Sequence, residues 1–570
     1  MTPNDHVQKP IRFELLAPYN EFVNLLGSWD GWKETPMQRS DGGTWFIDIP
    51  LADGTYQYKF HTKSLSWFAL GQDVTIPDPK APEISLDSNE NAIVHVVNGE
   101  RAVHHYTWQH DDVPLPPNDQ LVIYELHLAD FRGGAGDSGD EGKGPGTFNG
   151  VIEKLDMLAA LGINAIEFMP LNEWPGEHSW GYAQRSVYAV ENSYGTPTDL
   201  CRLVDECHKR GIRVIHDAVF NHMESEAPLT KIDYEYWFYK DNPDEAALQF
   251  GPKFNYEKFD TVANRWPARE HVLGAIDFWV ENFHIDGIRF DCTRGIKRWD
   301  VLDWFNKTAH ARADFKPFIT VAEHVPQDGA IVKPSGPMDA AWHENYYQQL
   351  VATVIGVPKD GRDPFNTTEM LRLLDGRTDG FSGTMTTIHY LDNHDHDRSM
   401  YLLGKDANTF DEAAFKRSKL GATLLLTSPG IPMLWMGQEV GQSTPKTLES
   451  QPIPWDLLKN PLNQALYDHY KALIGMRRAN PALFSANYQV VADLPERGLI
   501  AFKRWNDAGN IVVVVANLRP AFGGAFEIGE AGLPDGDWHE AIYNYDVKVE
   551  GGRLKDELAE GEAKVYIKMG

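Results

Sequence analysis

The chain has 570 residues, of which 42% are hydrophobic and 24% charged, and a formal net charge of −29. That length and apolar fraction allow several domains with a sizeable core. So negative a chain argues against nucleic acid or an anionic membrane as the main partner, since both demand basic surfaces, and it favours a neutral or cationic ligand. Three cysteines, Cys201, Cys207 and Cys292, form neither a disulfide framework nor a metal-type pattern. No apolar run is long enough to span a bilayer. The N-terminus "MTPNDHVQKP" lacks a charged-then-apolar leader, so a cytoplasmic protein is expected. Oligomeric state is not legible.

Residues 1–110 read as a small β-sandwich. "FVNLLGSW", "TWFIDIPL", "TYQYKFHT" and "AIVHVV" alternate with the turn signals "DGG" and "ADG". The proline-rich stretch within 111–120 reads as a linker. From 121 the rhythm becomes strand, helix, strand. The strand candidates are "LVIYELHL", "INAIEFMP", "IRVIHDAV", "IDGIRFD", "FITVAEH", "MDAAW", "TMTTIHYL" and "IPMLWMGQE". Between them lie amphipathic runs, among them one from Phe148 to Leu161 and the segment "TPTDLCRLVDECHKRG". Alternation of this kind implies right-handed parallel crossovers, so 121–484 is expected to form a (β/α)₈ barrel. Residues 223–265, after the third strand, are too long for a bare loop and read as an inserted lobe. β-character returns over 485–570, expected to be a second, C-terminal sandwich.

In a (β/α)₈ barrel the catalytic groups stand at the C-terminal ends of the strands. The third strand ends in "HDAVFNH" (Asp217, Asn221, His222) and the fourth in "GIRFD" (Arg289, Asp291). The fifth ends in "VAEH" (Glu323), and the seventh runs into "LDNHDHDR" (His394, Asp395). Any one aspartate after a strand is an ordinary cap or turn residue. Four carboxylates converging on one mouth cost energy unless they are neutralised or used. Arg289 and Asp291 are two apart and share a strand face. Such a cluster admits metal-assisted hydrolysis or glycoside hydrolysis by a carboxylate pair. No HxH or HExxH ligand set stands at these strand ends, with "HDH" at 394–396 the nearest approach. Aromatics after the second strand, Trp174, Trp180, Tyr182 and Tyr188, favour a sugar.

"DAVFNH", "GIRFD", "VAEH" and "DNHD", in that order, resemble the four conserved regions of the α-amylase family of glycoside hydrolases. "GYAQRSVYAVENSYGTPTDL" and "GIPMLWMGQEVG" resemble the family's segments after its second barrel strand and at its eighth. The resemblance runs from about 121 to the end of the chain. It implies that Asp291 is the nucleophile of a covalent glycosyl intermediate, Glu323 the general acid/base and Asp395 the third carboxylate. It also implies that Arg289 orients the nucleophile, that His222 and His394 bind the sugar, that Asp217 is a structural acid, and that Tyr182 is a stacking platform with Trp180 beside it. Arg289 is expected to keep Asp291 ionised, and Glu323, facing other carboxylates, to hold a proton. In "LDNHDHDR", Asn393 would shape the turn and Asp392 would be structural, while His396, Asp397 and Arg398 line either the outer cleft or the surface.

"LLGSWDGWKETPMQRSDGGTWFIDIPLADGTYQYKFHT" resembles the glycogen/starch-binding-type domain in front of branching, debranching and trehalose-releasing enzymes. In binding members, the positions of Trp32, Lys59 and Trp67 hold glucan; in others the domain is only a packing partner. The resemblance implies a retaining hydrolase of α-1,4-glucans, of the α-amylase type. Alternatives are a branching enzyme or other glucanotransferase and a maltooligosyltrehalose trehalohydrolase. Asn393-His394-Asp395, where branching enzymes commonly carry Ser-His-Asp, leans towards hydrolysis. "FDCTRGI" departs from the sequence usual after the nucleophile. No cofactor is needed for the chemistry. Asp137, Asp140 and Glu141 in "GDSGDEGKGPG" offer oxygen ligands for a structural Ca²⁺, though a plain exposed loop is the favoured reading.

Overall fold

A computed structural model describes residues 10–87, 89–131, 146–176, 178–520, 523–529 and 532–569. Its centre is a closed barrel of eight parallel strands: β1 (Ile123–Leu126), β2 (Ala165–Phe168), β3 (Arg213–Ala218), β4 (Gly287–Phe290), β5 (Ile319–Ala322), β6 (Ala340–Trp342), β7 (Thr387–Tyr390) and β8 (Ile431–Trp435). β8 closes the ring by pairing Met433 with Ile123 of β1. Every residue of these strands is buried. Helices outside and side chains within cover both faces, which is why the strands read as continuous apolar runs rather than alternating ones.

Local chemistry sets the element ends. Helix Pro197–His208 starts on a capping box between Thr196 and Asp199, with Pro197 in its first turn. The run expected as one helix from Phe148 to Leu161 is two, Phe148–Ile152 and Leu155–Leu161. Phe148 is held to Tyr194 by an N–H···O bond of 2.9 Å and an edge-on ring contact, which fixes the first piece off the axis of the second. β7 begins at Thr387, later than "TMTTIHYL" suggested, because Thr384–Thr386 form a 3₁₀ turn. The hydroxyls of Thr386 and Thr387 bond back to the carbonyls of Gly383 and Thr384, which competes with extended pairing.

The N-terminal unit is a two-sheet β-structure. Pro10–Leu16, Thr44–Pro50 and Gln38–Arg39 form one sheet, and the second is built around the long strand Gly54–Lys63. It docks on the inserted lobe. The Leu65 N–H donates to the Ile232 carbonyl at 2.8 Å, and the Tyr19 hydroxyl donates to Asp260 at 2.9 Å. The lobe contains helix Pro228–Trp237 and is tied to the end of β3 by a bridge between His222 and Lys253. The proline-rich stretch is also anchored. Just before it, Tyr106 and His110 bond Asp205 and Trp108 stacks on His284 at 3.9 Å; within it, Asn118 accepts from Arg213 at 2.6 Å.

The C-terminal unit is one eight-stranded antiparallel path rather than two separate sheets, and it folds over on itself. Alternation divides its work. Phe502, Val512, Val514 and Val565 join the barrel's core, whereas Ala501, Val513, Val515 and Tyr566 close a second core around the buried Trp538.

Below the barrel, Asp286 precedes β4 and is fully buried. It accepts from the Val214 N–H (2.7 Å) and faces His208 Nε2 (2.9 Å) and Lys316 Nζ (2.8 Å). Lys316 and His208 hold its carboxyl well below the usual range despite burial. Removing a buried anion that three donors depend on costs about 3–5 kcal/mol. Asp286→Ala should lower the urea midpoint of tryptophan fluorescence by a corresponding amount, and an unchanged midpoint would reject this role. A depressed pKa contributes stability above the ordinary carboxylate range and loses it as pH falls through that range and below, so the gap between variant and wild type should narrow in acid.

Candidate active site

β3, β4 and β5 are paired in register, with Asp217 beside Arg289 and Arg289 beside Val321. This register, with Asp291 directly after β4 and Glu323 directly after β5, brings three carboxylates to one guanidinium. Arg289 Nη1 donates to Asp217 Oδ1 at 2.7 Å and to Asp291 Oδ1 at 2.9 Å, and Nη2 lies 3.2 Å from Glu323 Oε2. Arg289 is fully buried, with its flat face 4.6 Å from the centroid of Trp342 at the end of β6. Cys292, next to Asp291, is left-handed at φ 46°, ψ 48°, a conformation uncommon outside glycine. There its N–H donates to Glu323 Oε2 at 2.7 Å, so backbone bent after one carboxylate fixes the other.

A second relay descends from the loop after β7. Tyr182 Oη donates to Asp217 Oδ2 at 2.7 Å and so accepts from His394 Nε2 at 2.9 Å. On the far side, His394 Nδ1 meets Glu125 Oε1 at 2.6 Å, and the His394 backbone N–H donates to Glu125 Oε2. Both ring nitrogens therefore donate. Against the pull of burial, Asp395 and Glu125 push the imidazole up to about 9, so it is charged at neutral pH. Burial alone would raise Asp395, but His394, Lys446 and Arg289 outweigh it and hold that carboxyl at about 2. Lys446 Nζ lies 3.4 Å from Asp395 Oδ1 and 5.4 Å from the Trp180 ring centroid.

The Asp291 carboxyl behaves differently from the sequence expectation. Burial and then the Glu323 charge push it well above the usual carboxylate range, and Arg289 only partly opposes them. Desolvation beats a single cation here because that cation is shared three ways. Asp217 is raised by burial as well, against Arg289 and Tyr182. Burial lowers His222 to about 4, leaving it neutral; its Nε2 donates to the Tyr182 carbonyl at 3.0 Å.

These groups surround a cleft of about 460 Å³. Trp180, Tyr182, His222, Asp291, Glu323, His394 and Asp395 line it, together with Leu248 and Phe250 of the inserted lobe, Arg294 and Val325. Asp217 and Arg289 lie beneath as its floor. A polar groove of about 560 Å³ adjoins it at Asp395, with Tyr347, Asp360, His396, Asp397 and Lys446. That places His396 and Asp397 in the outer cleft. Arg398 instead is buried, donating to the Met436 carbonyl. Asp392 is structural: it accepts from the Ser399 N–H at the start of helix Ser399–Lys405. Asn393 shapes the turn by accepting from the Asp395 N–H.

Trp174 and Tyr188, read as sugar-side aromatics, are core residues; Trp174 packs on Tyr194 and Tyr188 on Phe278. The residues that sequence reasoning missed are Glu125, Trp342, Phe250 and Lys446. Glu125 carried a signal, being a charge inside the apolar run "LVIYELHL". The others carried none, because only folding brings their segments to the mouth.

Of the N-terminal candidates, Lys59 turns towards the catalytic unit. Its Nζ donates to the Asn89 carbonyl, and it lines a cavity of about 250 Å³ shared with Glu173, Arg185 and Lys231. Trp67 is 57% exposed, edge-on to Phe68 and under Lys240 of the inserted lobe. Trp32 stands at an exposed turn with φ 65°. Asp137, Asp140 and Glu141 lie outside the described residues. Among the described residues, no helix is long and apolar enough to cross a membrane.

Comparison with known proteins agrees with this geometry. Residues 131–472 match the family model of the alpha amylase catalytic domain, and residues 1–81 that of carbohydrate-binding module 48, the isoamylase N-terminal domain. A malto-oligosyltrehalose trehalohydrolase of Saccharolobus solfataricus is 27% identical over 473 residues, covering 76% of this chain and 74% of that protein. A 1,4-alpha-glucan branching enzyme of Bacillus cereus is 25% identical over 578 residues, 95% of this chain and 84% of the enzyme. Two solved pullulanases share the fold. That of Anoxybacillus sp. LM18-11, complexed with maltotriose, has a TM-score of 0.80 at 17% identity, over 100% of this chain and 86% of that one. The type I pullulanase of Bacillus subtilis, complexed with maltose, has 0.78 at 18%, over 98% and 83%. With the family model covering most of the chain and its carboxylates gathered on one arginine, the protein belongs to the α-amylase family of glycoside hydrolases.

Proposed function

We propose that this protein is a retaining glycoside hydrolase of α-1,4-glucans: starch, glycogen or maltooligosaccharides. The observation that carries the reading is the shared arginine. Asp291 and Glu323 approach the two terminal nitrogens of one guanidinium. That favours the close spacing of a retaining pair, roughly 5 Å, over the 6.5–9.5 Å that leaves room for an inverting water.

The reaction starts with one proton on the pair. Glu323 gives it to the leaving glycosidic oxygen as Asp291 attacks the anomeric carbon. Glu323 then takes a proton from water, which opens the glycosyl-enzyme ester. Arg289 stabilises the ionised Asp291 while it is bare. Asp395, kept anionic, and His394, kept cationic, grip sugar hydroxyls where charge develops on the ring. Tyr182, pinned between Asp217 and His394, gives the sugar an apolar face, and no cofactor enters. Phe250, 5.5 Å from the His222 ring, and Val325 are both exposed at the cleft and offer the glucan chain an apolar lip. The groove beyond Asp395 is lined mainly by charged groups, and its rings, Tyr347 and His396, pack on each other at 4.2 Å, which favours water over a second glucan as acceptor.

The match to the branching enzyme over nearly the whole chain supports glycosyl transfer as the second reading, with the trehalohydrolase match behind trehalose release. Incubation with amylose, following iodine colour and reducing ends together, separates these. Hydrolysis gives colour loss with a matching rise in reducing ends. Colour loss without that rise means transfer. Release of trehalose from maltooligosyltrehalose, with amylose untouched, means the third. Asp291→Asn should lower kcat by at least about 10⁴-fold in any of them.

Phe250→Ala should raise KM for maltoheptaose about 2–10-fold, the worth of one aromatic contact, with kcat changed less. An equal fall in kcat would place Phe250 in the chemical step instead. Because the Asp291 carboxyl is raised, the alkaline limb of kcat/KM should lie well above the ordinary carboxylate range of about 4. A limb at that ordinary value would contradict the shared-proton scheme. His394 titrates higher in the folded protein, at about 9, than unfolded, at about 6.5. Its contribution to stability is full below the lower value and disappears as pH rises through the higher one. The stability gap between wild type and His394→Gln should therefore be wide at pH 6 and narrow at pH 9.5, by urea denaturation at both.

A further inference from the structure

The short helix Leu128–Phe131 after β1, the loop after β2 and the loop after β8 meet around three side chains with no part in the scheme above. These are His127, Asp130 and His178, whose ligating atoms all lie within 4.8 Å of one another. His127 and Asp130 are buried. His127 Nδ1 is 3.0 Å from Asp130 Oδ2, and His178 Nε2 is 3.6 Å from Asp130 Oδ1.

The hydrogen bonds around the cluster decide where the ring protons sit. His127 Nε2 faces the Ser179 carbonyl at 3.0 Å, an acceptor, so it carries the proton. The inner Nδ1 then faces Asp130 alone, as a second N–H donor or, where a metal takes the place of that proton, as a ligand. The His178 ring likewise bonds the Leu448 carbonyl, and its buried Nε2 faces Asp130 Oδ1. Ser450 donates to Asp130 Oδ1 at 2.6 Å. Each histidine is thus oriented from outside by a backbone carbonyl and turns its inner nitrogen towards one anion, the second-shell arrangement of a metal-bound histidine. The Asp130 charge between the two inner nitrogens calls for positive charge, which ring protons or one bound cation can supply.

The geometry points to a divalent transition-metal site here, with His127 Nδ1, His178 Nε2 and an Asp130 oxygen as protein ligands and water completing the shell. Two imidazoles and one carboxylate suit Zn²⁺, Co²⁺ or Ni²⁺. Calcium and magnesium prefer all-oxygen shells. The bound ion would tie the loops after β1 and β2 together, with Ser450 fastening the loop after β8 through Asp130. Trp180 of the cleft is two residues from His178, so occupancy would stiffen the wall of the sugar site.

The test is titration of the chelator-treated full chain with Co²⁺ and then Zn²⁺, reading stoichiometry by calorimetry and the visible d–d absorption of Co²⁺. The expected result is one ion per chain with an intense, low-coordinate cobalt spectrum, displaced by Zn²⁺ and unaffected by excess Ca²⁺. His178→Gln, at a partly exposed position, should weaken Zn²⁺ more than about 100-fold, beyond the range for an outer-shell partner. Asp130→Asn should do the same, and Zn²⁺ should raise the thermal midpoint of wild type but of neither variant. No binding to the wild type, or binding retained in a folded His178→Gln chain, overturns the assignment. The cluster would then be a carboxylate held between two protonated histidines.

Discussion

The site hangs on one buried cation. Arg289 has no access to water and touches Asp217, Asp291 and Glu323 at once. Without it, three carboxylates in a low-dielectric pocket would repel one another by several kcal/mol. One positive charge cannot neutralise three negative ones. Burial and then the Glu323 charge push the Asp291 carboxyl up, which favours keeping a proton within the cluster. A shared, mobile proton is what a two-carboxyl mechanism starts from. The need to bury the cluster therefore sets its protonation state.

A parallel balance holds on the other wall. His394 lies between Glu125 below and Asp395 at the surface of the cleft, and it is charged because both neighbours are anions. Glu125 belongs to β1 and meets the cleft wall through His394, at its imidazole and its backbone N–H. Beside it in register, Glu167 is fully buried with neither oxygen hydrogen-bonded; burial and Glu125 push it well above the usual range, so it stays neutral. The barrel interior thus grades from a neutral acid at depth to charged groups at the mouth, and the upper layer lines the cleft.

The flanking units act on the cleft at a distance. The inserted lobe supplies Leu248 and Phe250, and the N-terminal unit braces that lobe through Leu65, Ser66 and Tyr19. Lys59 lies along the same junction, its Nζ donating to the Asn89 carbonyl. At the other end, Arg417 joins barrel and C-terminal unit by donating to the carbonyls of Val354 and Leu518.

Much of this was legible in the chain. Eight apolar runs separated by amphipathic ones allow few architectures, and the barrel's polarity then puts the residue after each strand at the mouth. That is why Asp291, Glu323 and Asp395 could be named from position. Sequence also separated Asp392 and Asn393, turn and cap residues, from His394 and Asp395, which line the cleft. Three things needed tertiary structure. Trp174 and Tyr188 look like Trp180 and Tyr182 in sequence, yet only the latter pair reaches the cleft, because aromatic character does not say which way a loop turns. Asp291 was expected to be ionised because Arg289 is two residues away, but that expectation could not count how many carboxylates share the arginine or how deeply they are buried. Glu125, Trp342, Phe250 and Lys446 come from separate segments, and their roles exist only where barrel closure and the docked lobe bring them within a few ångströms. Covalent order determines which groups can stand at a strand end. Register, burial and long-range contact determine which of them carry charge and which ones meet.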